Sequence, residues 1–237
     1  NMASTVIKNW DNKSWLSSSK YIKSFNGFLL KNIKLNSNSK ILDIGCGRGK
    51  ILGSLSTYLK LKKKPLGIDI VSHKDKDKRI KFNKIDAVNF LSTNKDKFDL
   101  ILIKQTIHLL NLKMIKKLLF LSKKNLNPNG KVFIFTLDTN QNELPIFKLM
   151  KIKLMKSLQR DKKISKFITH LYPDRLKVKF TYKVKIIKKK YLWMIEKKYI
   201  SILLNLNKKE ILKGLIEIDL NYGKNIKFKD KLICIIL

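Results

Sequence analysis

Arginine is almost missing from this chain of 237 residues with 53 basic side chains: Arg48, Arg79, Arg160 and Arg175 are the whole set, and the rest are lysine. Phosphate recognition commonly uses arginine forks, so the net charge of +36 points only weakly to a nucleic-acid partner. The lysines run over the full length rather than gathering on one element, and with the abundance of Ile and Asn they fit a compositional bias. Charge alone sets no function. Cysteine is reduced to Cys46 and Cys234. Two distant cysteines exclude a disulfide framework, offer no metal set, and fit a reducing, cytoplasmic setting. The four prolines and nine glycines leave no low-complexity linker between domains. No apolar run approaches the ~20 residues of a membrane span, and residues 1–11 lack the apolar stretch of a secretory signal.

What is present suits one α/β domain. An apolar content of 44% is enough for a real core. Residues 5–34 read as helical, with Trp10, Trp15, Tyr21, Phe25 and Phe28 as aromatic anchors. Strands at 40–44, 65–70, 80–85, 98–104 and 131–137 then alternate with helices at 50–61, 87–92 and 107–126. The 98–104 run, Phe-Asp-Leu-Ile-Leu-Ile-Lys, is nearly continuous in apolar residues, as for a strand buried on both faces of a parallel sheet. Residues 73–78 form a charged loop expected to be solvated, and Asn127-Pro128-Asn129-Gly130 is a turn. Beyond the fifth strand the rhythm changes. Helices at 144–158 and 164–171 form an insertion, Val178, Phe180, Tyr182 and Val184 alternate as a half-buried strand, and residues 191–204 read as helical. Asn207 and Glu210 make a capping box, and residues 226–237 close the chain as a strand. The expectation is a doubly wound, mostly parallel, seven-stranded sheet with an antiparallel edge pair and a helical insertion after strand 5. Along the single domain, residues 1–35 are amino-terminal helices, 36–138 the ligand-binding core, 139–177 the helical cap and 178–237 the closing strands and helices. Ligands of such sheets sit at the carboxyl ends of the strands.

One stretch carries chemistry. Ile41-Leu42-Asp43-Ile44-Gly45-Cys46-Gly47-Arg48-Gly49 is a strand running into a carboxylate and three alternate glycines, ahead of a helix start. Bare backbone there can meet a ligand closely, and Asp43 favours a cationic ligand over a pyrophosphate. The dinucleotide fingerprint would need glycine at Lys50 or Leu52, and no Gly-Lys-Ser/Thr follows for a nucleotide-triphosphate loop.

On these residues the chain resembles the class I S-adenosylmethionine-dependent methyltransferases, in the small-molecule group that includes the ubiquinone-biosynthesis and trans-aconitate enzymes. The resemblance is good over residues 10–138. It implies a Rossmann-like methyltransferase fold, S-adenosyl-L-methionine as cofactor with S-adenosyl-L-homocysteine as product, and a small-molecule methyl acceptor. It implies cofactor contacts at Asp43, Gly45, Cys46, Gly47 and Gly49, at Asp69 for the ribose hydroxyls, Ile70 for the adenine face, Asp86 and Ala87 for the adenine edge, and Lys104 and Gln105 near the cofactor's ammonium. It places acceptor contacts at Tyr21, His108, Tyr172 and Arg175, with His108 as the catalytic candidate, and no metal.

Several of these residues have a second reading. Asp69 and Asp86 can each cap a helix, and Cys46 fills the glycine turn rather than acting as a nucleophile. His108 can take a proton from an acceptor or simply start a helix. Lys104 can bind an acidic substrate or reflect the lysine excess. The aromatic residues at 10, 15 and 21 either close over the cofactor or staple the sheet. Two alternatives stay open for the whole chain: an RNA methyltransferase, suggested by the charge, and a non-catalytic protein that keeps the cofactor fold. Against the first, no Asn/Asp-Pro-Pro-Tyr/Phe follows the fourth strand, and no Pro-Cys dyad is present.

Overall fold

The apolar run at 98–104 forms strand β4 (Phe98–Lys104), in which Leu100 to Ile103 are all without exposed surface. Only a central strand of a parallel sheet is covered on both faces in this way. The structure, a computed structural model, describes residues 14–104 and 106–237. Around β4 lie β1 (Ile41–Ile44), β2 (Leu66–Asp69), β3 (Lys81–Lys84), β5 (Leu126–Leu137), β6 (Leu176–Ile187) and β7 (Asn225–Ile236), in the order β3-β2-β1-β4-β5-β7-β6. The pairs β1·β2, β1·β4, β2·β3 and β4·β5 are parallel. β7 runs antiparallel to β5, with Val132 and Leu237 exchanging backbone bonds. The helices are α1 (Ser19–Asn32), α2 (Lys50–Leu59), α3 (Ala87–Thr93), α4 (Leu112–Lys124), α5 (Lys148–Leu171), α6 (Lys188–Glu196) and α7 (Lys208–Asn221).

The chain packs as two compact units. The first joins residues 22–136, 163–180 and 232–237. Its core places Leu42, Ile44, Ile68, Ile101 and Ile103 of the strands against Val88, Leu91, Ile115, Leu118, Ile164 and Ile168 of the helices. On the other face Phe25 of α1 meets Phe135 and Phe180 at ring distances of 4.8 and 5.5 Å. The second unit takes the described residues through Tyr21, with 137–162 and 181–231. There Tyr191, Met194 and Ile195 pack with Phe147, Met150, Val184, Ile211, Ile218 and Phe228. Asp230, half-buried, accepts a 2.7 Å bond from the Trp15 indole. Trp15 thereby staples this unit, and Trp10 lies outside the described residues.

The doubly wound sheet, its antiparallel edge and the Asn207–Glu210 capping box are all present. Four expectations change. Residues 5–13 of the expected amino-terminal helix lie outside the described residues, and within them α1 starts only at Ser19, after a 15–17 turn, where the Ser18 hydroxyl accepts from the Tyr21 N–H. The helices expected at 144–158 and 164–171 are one, α5. The polar Asp161-Lys162-Lys163 step between them contains no proline or glycine, and Asp161 turns inward to the Leu137 N–H. The helix expected over 107–126 starts at Leu112, where the Asn111 side chain accepts from Met114. The Asn127–Gly130 turn falls within β5 as a bulge. Phe98 pairs with Leu126 and Leu100 with Lys131, and Asn129 adopts φ 65°.

Leu102 has no exposed surface, so Leu102→Ala should cost about 2–5 kcal/mol of stability, measured by urea unfolding. Burial pushes the Cys46 and Cys234 thiols up, which lowers the thiolate fraction. A disulfide reagent at pH 8 should therefore leave both unlabelled in the folded chain and modify both in denaturant.

Candidate functional site

Parallel strands release their last backbone groups at one edge, and here that edge is closed by the glycine turn. Gly45, Gly47 and Gly49 have φ of 76°, 56° and 80°, a region that L side chains seldom enter. At Gly45 space is also decisive. A Cβ there would stand 2.4 Å from Thr106 Oγ1 and 2.7 Å from the Lys104 carbonyl oxygen. The Gly45 and Cys46 N–H groups donate to the Ile68 carbonyl at 2.9 and 3.1 Å, tying the turn to the end of β2. The Gly49 N–H returns to the Cys46 carbonyl, and α2 begins at the next residue.

Asp69, the last residue of β2, turns onto this loop. Its Oδ2 accepts from the Gly47 N–H at 2.9 Å and its Oδ1 from the Val71 N–H at 3.1 Å. No helix follows Asp69, so the capping alternative for it is not realised. Ile70 beside it is 58% exposed. Asp86 does cap: its Oδ2 accepts from the Asn89 N–H at the start of α3, while Ala87 is buried.

Asp43 has no exposed surface, and its counter-ion is Lys104 from the neighbouring strand, with Nζ 3.0 Å from Oδ2. The Lys104 ammonium also stands 5.9 Å from the Phe25 ring centre. Among the described residues Oδ1 of Asp43 has no hydrogen-bond partner. Burial pushes the Asp43 carboxyl up; Lys104 opposes this and Asp69 reinforces it. Asp43, Asp69 and Lys104 all act on Cys46 as well, so the four groups share one neighbourhood.

The loop after Ile70 exposes Lys74, Asp75 and Lys78, as expected of a solvated loop, and is also clamped. Arg48, inside the glycine turn and 4% exposed, donates to both oxygens of Asp75 at 2.9 Å. Its carbonyl accepts from the Asp77 N–H at 2.8 Å. Arg79 then forks onto Asp77 and donates to Thr57. His73 in this loop is 8% exposed. Two of the four arginines thus hold the segment that continues Asp69 and Ile70. The scarcity of arginine in the chain is the sequence signal for these two residues.

Of the expected acceptor residues, His108 falls in a short turn, Ile107–Leu109, just past the end of β4. Gln105 lies outside the described residues. Tyr172 and Arg175 are not brought to the glycine turn. Tyr172 packs under Lys123, 5.1 Å from ring centre to ammonium, in the last turn of α4. That turn leads into the beginnings of the strands, the end opposite the glycine turn. Arg175 donates to the Pro173 carbonyl, two residues away. Tyr21 is 3% exposed and packs edge-on against Tyr182; burial first, then Asp230, pushes its hydroxyl up. Among the described residues no group of three His, Cys, Asp or Glu side chains could hold a metal ion, and no helix is long and apolar enough to cross a membrane.

The site therefore offers a stretch of backbone without side chains at Gly45, Gly47 and Gly49, a carboxylate with an unfilled acceptor position and a second carboxylate at the end of the adjacent strand. That set suits a ligand carrying a cation and vicinal hydroxyls.

The sequence profile described as a methyltransferase domain matches residues 19–173. No curated protein matches the chain. Among solved structures, an S-adenosylmethionine-dependent methyltransferase from Geobacter sulfurreducens, in complex with S-adenosyl-L-homocysteine, is similar with a TM-score of 0.58 at 13% identity, over 98% of this chain and 97% of that one. The plantazolicin methyltransferase BpumL, in complex with a monoazolic desmethylPZN analog and SAH, gives 0.54 at 17% identity, over 98% and 88%. The N-methyltransferase NodS from Bradyrhizobium japonicum WM9, in complex with S-adenosyl-L-homocysteine, gives 0.53 at 13% identity, over 100% and 97%. The profile spans more than half of the chain and the fold agrees over nearly all of it: the chain belongs to the methyltransferase domain family.

Proposed function

We propose that this enzyme methylates a small-molecule acceptor, with the cofactor lying across the carboxyl ends of β1 and β2. The observation that carries the placement is Asp69, whose carboxylate is turned onto the glycine turn through the Gly47 N–H. The residues present fit S-adenosylmethionine. Oδ1 of Asp43 is buried and has no hydrogen-bond partner among the described residues, as a site for an ammonium requires. The gap at Gly45 would be closed by any Cβ. When bound, the cofactor supplies the methyl group on a sulfonium.

The chain's own residues bind and orient. Asp69 accepts from the ribose hydroxyls, and exposed Ile70 covers the adenine face. Asp86 caps α3 with Oδ2 alone, which leaves Oδ1 for the adenine edge beside the Ala87 N–H. The Gly45–Gly49 backbone lines the amino-acid tail. Alignment of nucleophile and methyl in a dry site contributes up to ~7–11 kcal/mol without a dedicated acid or base. An amine or hydroxyl acceptor must also lose a proton, and we assign that step to His108, in the short turn just beyond the end of β4. A small acceptor is supported by the structural neighbour BpumL, solved with a desmethylPZN analog. The spread of lysines, rather than a single basic face, supports it too.

S-adenosyl-L-homocysteine should bind in the micromolar range by calorimetry, and absence of binding at millimolar ligand rejects the cofactor placement. Asp69→Asn should weaken binding about 10- to 100-fold, the loss of ~1.5–3 kcal/mol of charge-assisted hydrogen bonding. With methyl-labelled cofactor and a cell extract, label should enter the low-molecular-weight pool. Label recovered in RNA instead overturns the small-molecule reading.

A further inference from the structure

The Asp43–Lys104 pair has a property that a purely structural ion pair does not need: one partner is sealed and the other can leave. Asp43 has no exposed surface, whereas the Lys104 side chain keeps 15% of its own. A buried carboxylate costs several kcal/mol unless a cation and hydrogen bonds compensate it. Here Lys104 supplies the cation, with its ammonium 3.0 Å from Oδ2, and among the described residues Oδ1 receives no hydrogen bond. The other charged group acting on Asp43 is Asp69, which repels it. The pair lies where the glycine turn meets the end of β4. The Lys104 carbonyl abuts Gly45, and a Cβ there would come within 2.7 Å of it. A lysine is a compact ammonium on a flexible four-carbon stem, so it can release the carboxylate without moving the strand.

Resting on the cofactor placement proposed above, we propose that Lys104 is a placeholder for the ammonium of the cofactor's amino-acid tail. In the ligand-free chain it neutralises Asp43; on binding, the incoming ammonium takes Asp43 and Lys104 withdraws. The device keeps a buried carboxylate ionised and correctly turned before the ligand arrives. It also has a consequence for affinity. The ligand's ammonium replaces an existing ion pair rather than meeting a bare carboxylate, so its net contribution is reduced by the contact it displaces. Without Lys104 that contribution should grow.

The test compares two ligands on two proteins. The ligands are S-adenosyl-L-homocysteine and its deamino analogue, with hydrogen in place of the α-ammonium and the carboxylate kept. The proteins are wild type and Lys104→Met, with Lys104→Gln as the substitute if the methionine variant does not fold. Dissociation constants come from calorimetry. The ratio of the two constants, deamino over amino, should rise about tenfold or more on removing Lys104, which corresponds to ~1.4 kcal/mol. In Asp43→Asn the ratio should fall toward one. An unchanged or smaller ratio in the Lys104 variant overturns the proposal, as does an equal weakening of both ligands, which would mean that Lys104 grips the carboxylate they share. Failure of wild type to bind S-adenosyl-L-homocysteine at all removes the cofactor placement itself, whereas binding with an unaltered ratio removes the placeholder alone.

Discussion

A carboxylate without access to water needs a cation, and the strand ends of this enzyme are arranged around that need. Asp43 is sealed between β2 and β4, the two neighbours of β1. Parallel pairing brings the ends of the three strands to one edge, so the cation can come from β4, as Lys104, while the second acid comes from β2, as Asp69. The turn that closes the edge has to be bare backbone, because the Lys104 carbonyl and the Thr106 hydroxyl already occupy the room a side chain at Gly45 would take. Charge and steric demand converge on one turn, and the ligand-facing surface follows from both.

Arginine shows the same economy. In a chain whose basic residues are otherwise lysine, Arg48 and Arg79 stand where a carboxylate must be held at two points. Arg79 contacts both oxygens of Asp77, and Arg48 both oxygens of Asp75. A guanidinium fixes direction as well as charge, which an ammonium does not. The clamp secures the loop that leaves Asp69 and Ile70, so the carboxyl end of β2 is anchored on both sides of the glycine turn. Exposed lysines elsewhere face high-dielectric solvent, where single ion pairs contribute little.

Much of the fold was legible because its signals are local. The 98–104 run carries the two-sided burial of a central parallel strand in its composition, and Asn207 with Glu210 carries a helix start. The Asp-x-Gly-x-Gly-x-Gly spacing carries a strand, a turn and a helix at once. The errors came where polarity was taken for a break. Asp161 lies inside one long helix because charge by itself does not stop a helix, whereas proline or a capped turn does. The clamps on Asp75 and Asp77 were not legible, because nothing local in the sequence marks their arginine partners at 48 and 79. Tyr172, given to the acceptor by the resemblance, packs under Lys123 in the last turn of α4, a contact with no local mark in the sequence.

The sequence by itself determined the order of strands and helices, the bare-backbone turn and the acids at the ends of the first two strands. Each of these is written in residues next to one another. Tertiary structure decided which groups meet across strands: that Lys104 answers Asp43, that Asp69 faces the turn rather than a helix, and that Arg48 holds Asp75. The physical reason is that pairing depends on register and burial, which bring residues tens of positions apart within a few ångströms, and no local pattern of side chains encodes those distances.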